Sequence, residues 1–359
     1  MNPAGELPTV DRRRALMAGR GRSRRAPDRP HRLTTTAMGV ALLSTCLLTG
    51  CASGSAAASS TTPTAYVATG ANVANPGDGV AVVDTVASKA QAPIITGTLP
   101  TGLGVTPNGR EVLVTNKGED TVAEIDVASG AVVARATVGL EPDAVAVAPD
   151  GTEALVANFG DGTVTPLALP SLRVGRPIRV GRQPVAVAIS PGGTLALVSN
   201  YQDGTVSPID LADLAVGPPV VAGTEPDALY IMPDGRTALV ADFETGLVTP
   251  IDLSSMTSRA AIPVGSNPTG LVGSSSSTTV YVSGGASVTP LSLETNRPGA
   301  PLGIGTTAQC LALAPGARSA WVCGGDGTLV HVNLIRRSVI GRVDVGGHPS
   351  AVVIAGGRG

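Results

Sequence analysis

Proline recurs in this chain with a fixed stride. Pro100, Pro142, Pro184, Pro226 and Pro268 stand 42 residues apart, and Ala308 and Pro349 continue the series after 40 and 41. A unit of this length cannot bury its apolar face alone, so successive units must stack on one another. The clearest unit runs Pro142-Asp143-Ala144-Val145-Ala146-Val147-Ala148-Pro149-Asp150-Gly151, then Ala154-Leu155-Val156-Ala157-Asn158, then Gly162-Thr163-Val164-Thr165-Pro166-Leu167. Val, Ala and Thr runs between Gly and Pro punctuation read as β-strands.

Each unit reads as four strands, a to d. Strand a (AVAVA, VAVAI, ALYIM) is apolar at every position, which predicts that both of its faces are covered. Asn108-Gly109, Asp150-Gly151, Gly192-Gly193 and Asp234-Gly235 then predict two-residue hairpins with φ > 0 at both positions. Strand b ends at Asn116, Asn158, Asn200 or Asp242, a Gly/Asp loop leads to strand c, and strand d ends in a corner before the next Pro. Pro166, Pro208, Pro250 and Pro290 fall inside strand c, where a missing donor predicts a bulge.

Four-stranded units of 40–45 residues are propeller blades. Pro349 to Ala355 is a first strand with nothing after it, and residues 65–99 hold three strands with no first one. Joined, they complete a ring: six full units plus one shared blade make seven. The expected fold is therefore an all-β, seven-bladed propeller of four-stranded antiparallel blades, closed by pairing of N- and C-terminal strands. Blades are numbered here from Pro100, with the shared blade seventh. Blades five and six are shorter by two residues and one, lost from their b–c loops at Gly284–Ser287 and Gly324–Gly327.

Strand b closes on Leu113-Val-Thr-Asn116, Leu155-Val-Ala-Asn158, Leu197-Val-Ser-Asn200, Leu239-Val-Ala-Asp242, Tyr281-Val-Ser-Gly284, Trp321-Val-Cys-Gly324 and Tyr66-Val-Ala-Thr69. With the Pro-Asp-Gly hairpins and Gly-Thr-Val starts of strand c, the chain resembles the YVTN-repeat β-propellers over roughly residues 65–355. The resemblance implies a secreted or surface propeller. Blades five and six lack the terminal Asn, which puts the shape of their upper loops in doubt.

The first fifty residues read as an address. Residues 12–32 are strongly basic, with Arg12-Arg13-Arg14 and Arg24-Arg25, and residues 37–48 form an apolar stretch of signal-peptide length. The Arg pairs offer twin-arginine export as an alternative to Sec, against which stands their distance from the apolar stretch. Leu48-Thr49-Gly50-Cys51 resembles the bacterial lipoprotein lipobox, which implies acylation of Cys51 at the mature N-terminus. The expected organisation is a signal peptide at 1–50, a flexible Ser/Ala/Thr tether at 51–64, and the propeller at 65–359. The expected location is outside the cell, lipid-anchored at the outer face of the cytoplasmic membrane or at an outer membrane.

Charge divides along the same line. Residues 1–50 hold nine of the 25 basic residues and three of the 27 acidic ones, leaving 16 against 24 and a net charge near −8. That balance argues against the phosphate-neutralising footprint of a nucleic-acid binder.

Chemistry-bearing motifs are scarce. There is no Gly-x-Ser-x-Gly elbow, His-Glu-x-x-His pair, P-loop or Cys-x-x-Cys. Gly303-Ile304-Gly305-Thr306-Thr307-Ala308 imitates a dinucleotide fingerprint but lies in a d–a corner with no helix after it. No cofactor, metal site or catalytic residue is expected, and a monomer is. In propellers the d–a corners and b–c loops share one face around the channel. Here they carry Glu141, Arg182, Gln183, Glu225, Asn267 and His348, with Asp143 and Asp227 just after the corner. The b–c loops add Lys117, Asp161, Asp203, Asp242, Glu244 and Asp326, where Asp is ordinary turn chemistry. Phe159, Tyr201 and Phe243 follow strand b in one register of three consecutive blades, either packing between blades or forming a recognition patch.

The expected function is a scaffold binding a protein, peptide or envelope glycan through this upper loop face. The alternative is a propeller enzyme, lactonase-like or redox-associated, with a site at the central channel assembled from His348, Glu141, Arg182 and Glu225. One covalent feature follows from register. Blade six aligns with blade two without gaps across the a–b hairpin, so Ala312 faces Trp321 and Cys310 faces Cys323. Directly opposed strand residues lie within disulfide reach, and export permits the bond.

Overall fold

The computed structural model describes residues 62–70, 79–274 and 278–356. Cys51, the lipobox-like residues before it and the stretch expected to be a signal peptide lie outside them. The described residues form seven antiparallel sheets, one per repeat. Blade two is typical: strand a is Pro142–Val147, strand b Glu153–Asn158, strand c Thr163–Ala168, and strand d the two short pieces Arg173–Val174 and Ile178–Arg179. Blade seven is assembled from both ends of the chain. His348–Ala355 pairs with Thr64–Gly70, setting Tyr66 opposite Val353 and Val67 opposite Val352.

Period-two alternation in strand b divides each blade between two cores. Ala196 and Val198 pack with Leu155 and Val164 of blade two, whereas Leu197 between them packs with Ile231, Val240 and Ile251 of blade four. The described residues form seven such clusters, and each joins neighbouring blades. Burying one Leu or Ile contributes about 1.5–3 kcal/mol, so interfaces between blades, more than any blade alone, hold the ring.

The fully buried strand is b, in place of the expected strand a. Strand b reads as buried along nearly its whole length, while most strand a residues of blades two to four are half-buried. Strand a is innermost and turns one face to the channel, so apolar continuity there reflects ring position rather than double cover.

The hairpins also differ from expectation. In blades one to four only the Gly takes positive φ (Gly109 71°, Gly151 72°, Gly193 68°, Gly235 64°). Its N–H closes a turn onto the carbonyl three residues back, as Gly151 does to Ala148 at 2.9 Å. Both central residues are positive in blade six, at Gly316 and Ala317.

The strand c prolines produce no bulge in their ladder with strand b, which runs unbroken in blades two to five. They act on the other side. Pro166, Pro208, Pro250 and Pro290 each accept one backbone bond from strand d but cannot donate one. Strand d is interrupted opposite them. Where the position holds Glu124 or His331, strand d is continuous, as Ala131–Thr137 and Ser338–Asp344.

The terminal Asn of strand b staples the corner above it. Asn200 is fully buried, its Oδ1 accepts from the Gly181 N–H, and its Nδ2 donates to Thr205 and Ser207. Asp242 does equivalent work by accepting from the N–H groups of Glu225 and Thr245. In blade five a Cβ on Gly284 would meet Pro268 Cα at 2.8 Å, so the shortened loop has closed over the space that Asn fills elsewhere. Cys310 and Cys323 are paired across the blade six hairpin in the register read from the sequence and form a disulfide, with Cα atoms 5.0 Å apart.

Candidate functional site

A bulge recurs at the start of strand a in every blade, and two more interrupt the c–d ladders of blades one and six at Glu124 and His331. Pro142 pairs with Asn158 and Ala144 with Ala157, so Asp143 is an extra residue outside the ladder. The same shift recurs after each corner, leaving Val185, Asp227, Thr269, Gln309 and Ser350 as the extra residues, and one more at Thr101-Gly102. A bulge re-aims the side chain it carries. Here Thr101, Asp143, Val185, Asp227, Thr269, Gln309 and Ser350 come together as a ring at the channel mouth, around a cavity of about 450 Å³.

Three ring members fasten one blade to the next. Thr101 Oγ1 donates to the Pro142 carbonyl at 3.0 Å, Thr269 Oγ1 to Ala308 at 2.9 Å, and Ser350 Oγ to Thr101 at 2.9 Å. Gly102 permits this closeness, since a Cβ there would stand 2.5 Å from the Asp143 carbonyl. In blades two and four the same position holds a carboxylate, which when ionised cannot donate such a bond. Asp143 is taken by Lys117, whose Nζ lies 2.7 Å from Oδ1 and 4.0 Å from the Phe159 ring centroid. Asp227 has no hydrogen-bond or ion-pair partner among the described residues.

Burial in the mouth pushes the Asp143 carboxyl above the usual range, with Lys117 opposing and Glu141 adding to the shift. Asp227 is pushed up to about 7, first by burial, then by the Asp143 and Glu225 carboxylates. Near neutral pH the mouth therefore holds a pair of carboxyls of which Asp227 passes between acid and carboxylate. Such a pair can accept from an ammonium, donate to an oxygen, or relay a proton.

The other expected site residues fall into separate rim groups. Glu141, Phe159 and Arg182 line a groove of about 470 Å³ between blades two and three. Glu141 is exposed at φ 49°, its N–H donates to Asp120 at 2.8 Å, and its carbonyl accepts from Phe159. Arg182 is exposed and paired with Asp203, Nε to Oδ1 at 2.5 Å. Tyr201 donates its hydroxyl to Glu225. Phe243 donates its N–H to the Glu225 carbonyl, and its own carbonyl accepts from Asn267. His348 is exposed at the start of its strand and lines neither the mouth nor the groove. The four-residue assembly expected for an enzyme is thus not brought together.

Phe159, Tyr201 and Phe243 are half-buried and belong to none of the seven interblade clusters. Asp161 and Asp326 serve their loops, accepting from Thr163 at 2.6 Å and Thr328 at 2.7 Å. Sequence reasoning missed Thr101, Val185, Thr269, Gln309 and Ser350. Their common signal was the position immediately after the corner residue of every repeat.

No family model and no curated protein matches the chain. Solved structures do. Kuenenia stuttgartiensis hydrazine synthase matches with TM-score 0.66 and 19% identity over 70% of this chain and 88% of that one. A protein of unknown function from Desulfotomaculum acetoxidans matches with TM-score 0.72 and 19% identity, covering 82% and 99%. The dihydro-heme d1 dehydrogenase NirN, in complex with DHE, matches with TM-score 0.60 and 17% identity, covering 81% and 75%. At these identities the likeness is one of fold.

Proposed function

We propose that this chain is an extracytoplasmic binding module that receives a cationic group of a protein, peptide or envelope glycan in its channel mouth. One observation carries the reading. Asp227 stands unpartnered in the ring beside Asp143, whose charge Lys117 already meets. A half-buried polar group without a partner costs free energy that a ligand can recover. The rim groups around Glu141, Arg182 and Tyr201 would contact the remainder of the ligand. The lipobox-like Leu48-Thr49-Gly50-Cys51 supports attachment to a membrane through acylated Cys51. The decisive experiment titrates the purified protein with short peptides bearing a free or an acetylated amino terminus. Preference for the free amine, lost in Asp227→Asn, supports the reading; equal affinity for both peptides overturns it.

A second reading has one observation in its favour. A carboxyl held near neutrality in a cleft is a suitable general acid or base. Two of the similar structures are, by name, a synthase and a dehydrogenase. An enzyme of this kind would use Asp227 to move a proton, with Asp143 and Lys117 setting the field. Assaying the purified protein for bound metal and cofactor separates the two readings.

A further inference from the structure

The a–b hairpins and c–d loops form the face opposite the channel mouth, and there blades one and two enclose a cavity of about 470 Å³. Blade one contributes Glu111, Leu113 and Glu124 to its walls and blade two Asp150, Leu169 and Pro170, with no Lys or Arg in the lining. The three carboxylates differ. Glu111 accepts from the Thr106 hydroxyl at 2.7 Å, and Asp150 accepts from the Thr152 N–H and hydroxyl at 3.0 and 2.9 Å. Glu124 is 7% exposed, and its Oε2 is buried without any hydrogen-bond partner. Burial, then the nearby Glu111 and Asp126 charges, raises its carboxyl above the ordinary range.

The repeat makes this anomaly visible. Glu124 occupies the strand c position that holds Pro166, Pro208, Pro250 and Pro290 in blades two to five. Folding does not require a carboxylate there, and an unpaired one in a half-apolar cavity is costly. We infer that this cavity is a binding site for a small amphipathic organic cation, with Glu124 receiving the ammonium and Leu113, Leu169 and Pro170 packing on its apolar body. The size falls within the usual range for small-molecule pockets, roughly 300–1,000 Å³. Among the described residues no group of three or more His, Cys, Asp or Glu is placed to hold a metal ion, so an organic cation fits better than a bare metal. The site is separate from the channel mouth and does not depend on the function proposed for it.

The test is calorimetric titration of the purified protein with n-hexylammonium, n-hexanol and n-hexanoate. Saturable binding of the ammonium alone is expected, tightening as pH rises and Glu124 ionises. Glu124→Gln should weaken it by roughly tenfold or more, since a hydrogen bond to a charged group is worth that ratio, and should abolish the pH dependence. Leu169→Trp, which fills the cavity from the other wall, should block uptake and serves if the Gln variant does not fold. In Asp227→Asn, which removes the channel-mouth carboxylate, a saturable ammonium site should remain and should be lost on adding Glu124→Gln. Equal binding of hexanol, no saturable binding at millimolar ammonium, or loss of all saturable binding in Asp227→Asn would each overturn the inference.

Discussion

The Lys117 ammonium reaches across the boundary between blades one and two to within 2.7 Å of the Asp143 carboxylate. Both side chains are about a quarter exposed, at 26% and 22%, and the Phe159 ring lies beneath the same ammonium. Lys117 is the influence that lowers Asp143 against burial and Glu141. Replacing it in Lys117→Met should therefore move the Asp143 titration to higher pH, followed by carboxyl carbon NMR. The stability cost should be about 1 kcal/mol, between an exposed pair and a fully buried one. An Asp143 titration that stays in place or moves down contradicts this account.

The Cys310–Cys323 bond closes a short loop, with 13 residues of separation. In the chain-entropy model such a loop contributes roughly 3 kcal/mol. The equivalent pair in blade two is Ala144 and Ala157, which face each other in the same register. The double change Cys310→Ala/Cys323→Ala therefore substitutes residues the repeat already accommodates. It should lower stability by about the loop term alone, read from denaturant unfolding. Thiol labelling of denatured, unreduced protein should find neither Cys310 nor Cys323.

Ring closure rests on His348–Ala355 pairing with Thr64–Gly70. Deleting residues 349–359 removes the inner strand of blade seven and opens an unpaired edge. It also strips Val352 from the cluster shared with blade six and Ala355 from the cluster shared with blade one. Two interfaces are lost at once, so the expected outcome is a large drop in melting temperature with a broadened transition. Unchanged cooperative unfolding in the truncated chain would disprove closure as the source of stability.

Architecture was legible because it is periodic. The corner prolines, the Leu-Val-x-Asn ends of strand b and the two half-blades at the termini all repeat a pattern, and pattern survives without coordinates. The disulfide was legible for the same reason, as two Cys at aligned positions of one hairpin. Functional placement is aperiodic and was harder. Asp143 and Asp227 were recognised only as acidic residues after a corner, because the bulge that turns them into the channel depends on ladder register. Glu124 was passed over altogether. Its signal was a departure from Pro at one strand c position, and the prolines themselves were misread as bulges in their own strand when their effect falls on strand d.

Phe159, Tyr201 and Phe243 sit half-buried on the rim, outside the interblade clusters. Truncating a core aromatic to a small residue costs about 3–5 kcal/mol. The triple change Phe159→Ser/Tyr201→Ser/Phe243→Ser should cost much less than three such losses, chiefly the Lys117 contact to Phe159 and the Tyr201 bond to Glu225. If the rim is a recognition surface, capture of the ligand should fall while the melting curve stays cooperative. A collapse of stability comparable to core truncation would assign these rings to packing.

Asp227 makes stability depend on pH in a defined direction. Its carboxyl is raised from the ordinary 3.8 to about 7 in the folded chain, so between those pH values the folded state holds a proton that the unfolded state has released. Stability from this group is fully present below about pH 4 and is lost as pH rises through about 7. Asp227→Asn keeps the shape and removes the titration. The variant should therefore gain on the wild type as pH is raised from 5 to 8, with the difference flattening above the folded pKa. Paired thermal melts across that range measure it. Parallel curves would show that Asp227 titrates as an ordinary exposed carboxylate, and the case for an unpartnered group in the channel mouth would fall with it.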